Sequence, residues 1–267
     1  MNLQKLNRLK KPGFLFIVFF TLFITSFSAY PQINKVPNLK LYDYDPIHFG
    51  FIIAANEMNF TIETKDNLHQ LYFKDKQLPQ GDLPIYPVDS AMIYSIDPEP
   101  TLGFTVGIVG DLRLGNYFNF KAVPSLAFGS RILNYDIRLL KDGDTSSFVS
   151  SQKINSTFVD FPFYLKYKSK RLRNMRAYVF GGIKFSFDLA SQANKQEENN
   201  YEPKLLRSDT YGLIGAGVDI YMNWFKFGLE FNMSYGLRDI LLREDNIYTG
   251  GIKSLRSKIF MLTFTFE

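Results

Sequence analysis

The stretch Lys258-Ile259-Phe260-Met261-Leu262-Thr263-Phe264-Thr265-Phe266-Glu267 sets Phe260, Leu262, Phe264 and Phe266 against Ile259, Met261, Thr263 and Thr265. A period of two is the signature of a β-strand. An aromatic stripe on a strand with no downstream element to cover it needs either a second sheet or a lipid solvent, and the rest of the chain decides between them.

The N-terminus carries Lys5, Arg8, Lys10 and Lys11 ahead of an apolar run from Phe14 to Phe27. That run is shorter than the roughly 20 residues of a bilayer-spanning helix, and small residues follow it at Ser26-Phe27-Ser28, so residues 1–28 read as a cleaved secretory signal. Tyr30-Pro31 offers no extension toward an uncleaved anchor. Removing the signal's four cations takes the balance from 31 basic against 26 acidic residues to 27 against 26. A near-neutral mature chain argues against nucleic acid as a partner. Cysteine is absent, which excludes disulfides, thiolate metal sites and a lipid-modified cysteine. Two histidines, His48 and His69, leave little for a metal or triad site, so no cofactor is expected.

Aromatics make up 16% of the chain, with 27 Phe and 16 Tyr against one Trp. They alternate with polar or small residues and never form a helix-length apolar block, which points to strands. Eight alternating segments follow. Strand one starts at His48 with Phe49, Phe51, Ile53 and Ala55 on one side; the apolar parity then switches after Glu57 to Met58, Phe60 and Ile62, which predicts a bulge. Strand two starts at Thr101 and sets Leu102, Phe104, Val106, Ile108, Leu112 and Leu114 against Asp111 and Arg113. Strand three begins at Tyr117 after a Gly115-Asn116 turn, and its Pro124 predicts a second bulge. Strands four to seven run through Val159–Tyr167, Val179–Leu189, Ile214–Ile220 and Phe225–Tyr235, and the closing stretch is strand eight, expected to pair with strand one.

Connections after strands two, four and six are short, and those after one, three, five and seven are longer and polar. That alternation, with the even strand count, predicts an all-β, eight-stranded antiparallel transmembrane barrel of the outer membrane over residues 48–267. Short turns and both termini face the periplasm, long loops face outward, and residues 29–47 form a periplasmic arm. A soluble β-sandwich shares the alternation. The secretory signal, alternating connection lengths and aromatic excess together favour lipid. Hydrocarbon then covers the last stripe on its face while strand one covers its edge.

Eight staves enclose only enough room for side chains, so a plugged lumen is expected and not a diffusion pore. The inward charges Asp111, Arg113, Lys121, Arg131, Asp160, Lys166, Lys184, Asp219, Lys226 and Glu230 must then pair with one another as a polar core. An enzyme site would need a histidine near the outer rim. His48 lies at the wrong end, and His69 with Ser90, Ser95 or Ser208 has nothing to fix its geometry, so no catalytic residues and no small-molecule substrate are assigned. The basic turn Lys168, Lys170, Arg171, Arg173 and Arg176 faces the periplasm, available to lipid phosphates or an acidic partner.

The stretches "NLKLYDYDPIHFGFIIAANEMNF", "FVDFPFYLKYKSKRLRNMRAYVFGGIKFSFDLAS" and "YGLIGAGVDIYMNWFKFGLEFNMSYGLRDIL" resemble the PorT/SprT proteins of Bacteroidota, from about Asn38 to the C-terminus. The first stretch is the most specific; the later two are shared with outer-membrane barrels of that phylum in general. The resemblance implies a non-enzymatic component of the type IX secretion and gliding motility apparatus, with outer-membrane lipids and other secretion components as partners. A free-standing surface barrel that binds ligand or host through its loops is the alternative.

Overall fold

The computed structural model describes residues 38–74, 77–79, 88–191 and 203–267. The signal at 1–28 and the arm as far as residue 37 lie outside the described residues. Eleven strands form one antiparallel sheet: β1 (Ile47–Thr64), β2 (Tyr72–Phe73), β3 (Ser90–Glu99), β4 (Thr101–Arg113), β5 (Phe118–Ala122), β6 (Ser125–Lys141), β7 (Asp144–Lys168), β8 (Met175–Asp188), β9 (Ser208–Tyr221), β10 (Lys226–Gly236) and β11 (Ile252–Phe266).

A connection read as a loop, which contributes β2 and β3, and two proline breaks account for the difference between eleven strands and the expected eight. Pro100 divides β3 from β4, and Pro124 divides β5 from β6, because a residue without an N–H interrupts the ladder. The bulge expected at Pro124 is absent. Gly110 faces Ala122 and Gly107 faces Ser125, three residues on along each strand, so the register passes through the break unshifted. The short edge strand β2 adds the last.

Each long strand has a partner on both edges. β1 is bonded to β4 on one side and to β11 on the other, with Phe51 opposite Phe266 and their rings stacked 4.9 Å apart. From β4 the ladders pass to β5 and β6, on to β7, β8, β9, β10 and β11, and so to β1.

The switch of apolar parity in β1 is not a bulge either. The β1–β11 register runs unbroken from Phe51 to Glu63. Phe49, Phe51 and Ile53 point outward and are more than half exposed, whereas Met58 and Phe60 are buried on the inner face. The faces stay in place and the chemistry exchanges between them. The same exchange occurs along β6, where outward Leu126 gives way to inward Leu133, Tyr135, Ile137 and Leu139, and along β11, where outward Leu262 follows inward Ile252 and Leu255. One half of the sheet is apolar outside and polar inside. The other half is apolar inside, as in a water-soluble protein.

That second half has its own core. Phe60, Leu68, Phe73, Ala91, Ile93, Ile137, Leu205, Ile240, Tyr248 and Leu255 pack together. The connections after β1 and β10, read as loops, supply much of it. The first contributes β3, and the second a single helical turn, Ile247–Gly250, capped by the Asn246 side chain, which accepts from the Thr249 N–H at 3.0 Å. The connection after the third segment, read as a long polar loop, is a two-residue hairpin turn at Asp142-Gly143 with φ of 50° and 87°. The residues on either side of it are strand, and β7 is 25 residues long.

Candidate functional site

Side chains fill the polar half of the interior. Lys121 reaches Glu230 at 3.2 Å and Glu267 at 2.7 Å. Lys226 bridges Glu267 and Asp111, the latter at 3.6 Å. Glu230 also accepts from the Tyr164 and Tyr178 hydroxyls, at 3.3 and 2.8 Å. Lys166 donates to both Asp219 oxygens, at 2.9 and 2.8 Å, with its ammonium 3.5 Å from the Tyr178 ring centre. Toward the apolar core, Lys184 meets Asp160 at 3.2 Å. Arg131 donates to Ser257 and Ser156 at 2.7 and 2.8 Å and lies between the rings of Phe60 and Phe158.

Nine of the ten charges expected inside are brought together there, and all nine are buried. Arg113 is the exception. It sits at the rim, donating to the backbone carbonyls of Tyr44 at 3.1 Å and Gly115 at 3.3 Å and to the Asn116 side chain at 3.0 Å, because β4 ends at that residue and its side chain clears the last ladder. Glu267 was not anticipated in the interior. Its parity continues the inward set of Thr263 and Thr265, and its own N–H and carbonyl pair with Lys226. Asp188, 4.0 Å from Arg131, and Asp209 join the buried set as well.

Burying an ion costs several kcal/mol unless partners restore what water gave, so so dense an arrangement depends on complete pairing. Between Asp160, Tyr164, Lys184, Glu230 and Asn232 a cavity of about 30 Å³ remains. It has room for water and nothing larger.

The described part of the arm packs against the short-turn end. Tyr42, in a 3₁₀ turn at Tyr42–Tyr44, stacks on His48 with ring centres 3.9 Å apart, and its carbonyl accepts from His48 Nε2 at 2.8 Å. Burial raises the Tyr42 phenol above its ordinary value, against the lowering pull of the Lys226 ammonium. His69 lies against Tyr94 in another 3₁₀ turn, and Ser95 donates to Asp97 at 2.9 Å. Among the described residues no three His, Asp or Glu side chains are grouped to hold a metal ion.

The arm and two turns enclose a cavity of about 410 Å³. All five residues of the basic turn, Lys168, Lys170, Arg171, Arg173 and Arg176, line it, together with Arg113 from β4 and Lys40 from the arm. Among the described residues Asp43 is the one carboxylate in its wall. It is engaged by Arg176 at 2.9 Å, by Arg171 at 3.5 Å and by the Tyr221 hydroxyl at 2.8 Å. Arg171 also donates to the Asn38 and Leu39 carbonyls and lies over the Tyr221 ring, 3.6 Å from its centre, which fixes the arm to the turn. Leu39 and Arg173 both take positive φ, 48° and 56°, an uncommon backbone for residues with a Cβ. The basic turn was legible in sequence; Lys40 and Asp43 were not assigned, because nothing local says that the arm folds back under the sheet.

A comparison with curated proteins finds no match. Among solved structures, the outer membrane protein OprG from Pseudomonas aeruginosa is similar at 10% identity and a TM-score of 0.39, over 88% of this chain and 98% of that one. The outer membrane protein AlkL, solved by solid-state NMR in DMPC lipid bilayers, is similar at 11% identity and a TM-score of 0.32, over 90% and 96%. The model of one family, described as the outer membrane protein beta-barrel domain, matches residues 54–242. With its phenylalanine-rich outer face and polar interior, the chain belongs to the outer membrane protein beta-barrel domain family.

Proposed function

We propose that the circuit of ladders is a closed barrel of eight staves in the outer membrane, with Asn38, Glu267 and the short turns on the periplasmic side, and that it is a non-conducting, non-enzymatic component of a type IX secretion and gliding apparatus of the PorT/SprT kind. The observation that carries the non-conducting part is the buried network of Lys121, Lys166, Lys226, Asp219, Glu230 and Glu267 across the interior, with a cavity of about 30 Å³ beside Glu230. An ion crossing such a lumen would have to part several buried pairs at once. The second core beyond the lipid-facing half speaks the same way: the described residues at that end pack together as a core of their own. The resemblance of Asn38–Phe60 to PorT/SprT proteins supports the export assignment. Neighbouring secretion proteins and outer-membrane lipids are the partners, with no nucleic acid or small-molecule substrate.

Two measurements test this. In planar bilayers the purified chain gives no unitary conductance, and stable open channels would refute the plugged lumen. Deleting the gene blocks surface delivery of cargo bearing type IX C-terminal sorting domains; intact delivery would remove the export assignment and leave a free-standing barrel.

A further inference from the structure

The 410 Å³ cavity at the short-turn mouth holds seven cationic side chains and one carboxylate. Asp43 is already committed to Arg171, Arg176 and Tyr221. Among the described residues Lys40, Lys168, Lys170 and Arg173 have no carboxylate within ion-pair distance, and Arg113 donates to two backbone carbonyls and an amide. Lys168 has 5% of its surface exposed and, among the described residues, no carboxylate within ion-pair distance. The interior a few ångströms deeper pairs its charges one against another. The mouth does not, and such an excess of positive charge in a concave, partly desolvated site is stable only when an anion completes it.

The donor geometry says which anion. Arg173 presents a planar fork that Asp43 does not engage, which suits the tetrahedral oxygens of a phosphate, and Lys40, Lys168 and Lys170 add point charges around it. Tyr44 and Tyr117 line the same cavity and are 70% and 40% exposed, with Trp224, 89% exposed, on the neighbouring β9–β10 turn. Exposed aromatics at one level mark the membrane interface, the depth at which lipid phosphates lie.

We propose that this cavity binds a phosphate-bearing anion, with Lys168, Lys170 and Arg173 as its principal contacts and Arg113 and Lys40 closing around it. The chemistry is common to a phospholipid headgroup of the adjoining leaflet and to a free phosphate group. The site is independent of the secretion assignment.

The test uses the full chain in zwitterionic detergent, with three probes. Native mass spectrometry counts phosphatidylglycerol retained after transfer from nanodiscs, calorimetry follows titration with inorganic phosphate, and a pentaglutamate peptide serves as the carboxylate rival. The expected result is saturable binding of one or both phosphate probes, reduced at least about tenfold in Lys170→Gln/Arg173→Gln, the equivalent of one charge-assisted hydrogen bond, and unchanged in Arg238→Gln at the opposite end. Retained lipid with no response to inorganic phosphate identifies the headgroup as the source; a phosphate response without lipid identifies the free anion. If neither phosphate probe binds, if the peptide binds in their place, or if the double variant matches the parent, the proposal is overturned. Heat-modifiable gel mobility verifies folding, and Lys40→Gln in the exposed arm replaces the double variant should that fail to fold.

Discussion

Glu267 lies within 2.7 Å of Lys121 on β5 and also holds Lys226 on β10, so a single carboxylate joins two strands that do not pair with each other. Its side chain has no exposed surface. The substitution Glu267→Gln keeps the volume and removes the charge, leaving two buried ammonium groups short of a partner. We expect a loss of about 3 kcal/mol, at the lower end of the cost of breaking a buried pair because Glu230 and Asp111 still serve the lysines. Urea unfolding in detergent, followed through the single tryptophan, Trp224, reports it directly.

The pair Lys166–Asp219 offers the complementary experiment. Lys166→Met alone strands Asp219 and costs about 3–5 kcal/mol, whereas Lys166→Met with Asp219→Leu removes both charges and restores most of that loss. A double variant as unstable as the single one would show that the pair contributes to stability beyond mutual neutralisation.

The exchange of faces along β1, β6 and β11 predicts where hydrocarbon ends. Ile108→Arg, on the outer face of the half with the polar interior, costs about 2–4 kcal/mol if it lies at the bilayer midplane. Val149→Arg is expected to stay within about 0.5 kcal/mol, because Val149 is exposed beside the second core, past the point where the outer face ceases to be apolar. Refolding into vesicles and comparing unfolding midpoints separates the two; equal penalties would place both in lipid.

The second core is expected to respond as a soluble protein does. Ile93 is fully buried there, and Ile93→Ala costs about 2–5 kcal/mol. Protease treatment of the variant refolded in vesicles should then cut it within the second core, with the lipid-facing half intact and still heat-modifiable.

Most of the lipid-facing half was legible in the sequence, because lipid outside and polar contacts inside impose strict alternation, and the exposed faces of β4, β8 and β10 carry the residues expected of them. Legibility stopped where the solvent changed. Past Glu57 the pattern still alternates with inverted chemistry, which looks identical to a bulge when no partner strand is in view. Long-range partners supplied by β3 and the Ile247–Gly250 turn leave no local trace, so the second core read as loops. The interior charges were found by parity alone. Parity misplaced Arg113, at a strand end, and missed Glu267, which follows the last alternating residue. The cationic turn was visible as composition, and its cavity was not, since Lys40 and Asp43 arrive from a segment more than a hundred residues away in sequence.

One element has a mechanical consequence. β7 runs without interruption from Asp144, at the tip of its hairpin, to Lys168 in the cationic mouth, and at about 3.3 Å per residue its 25 residues span about 80 Å. Its neighbours hold it by hydrogen bonds along most of that length, so it bends little and stretches less. Tension applied at the hairpin tip would travel down a single covalent rod and arrive at an ammonium group at the far end of the strand.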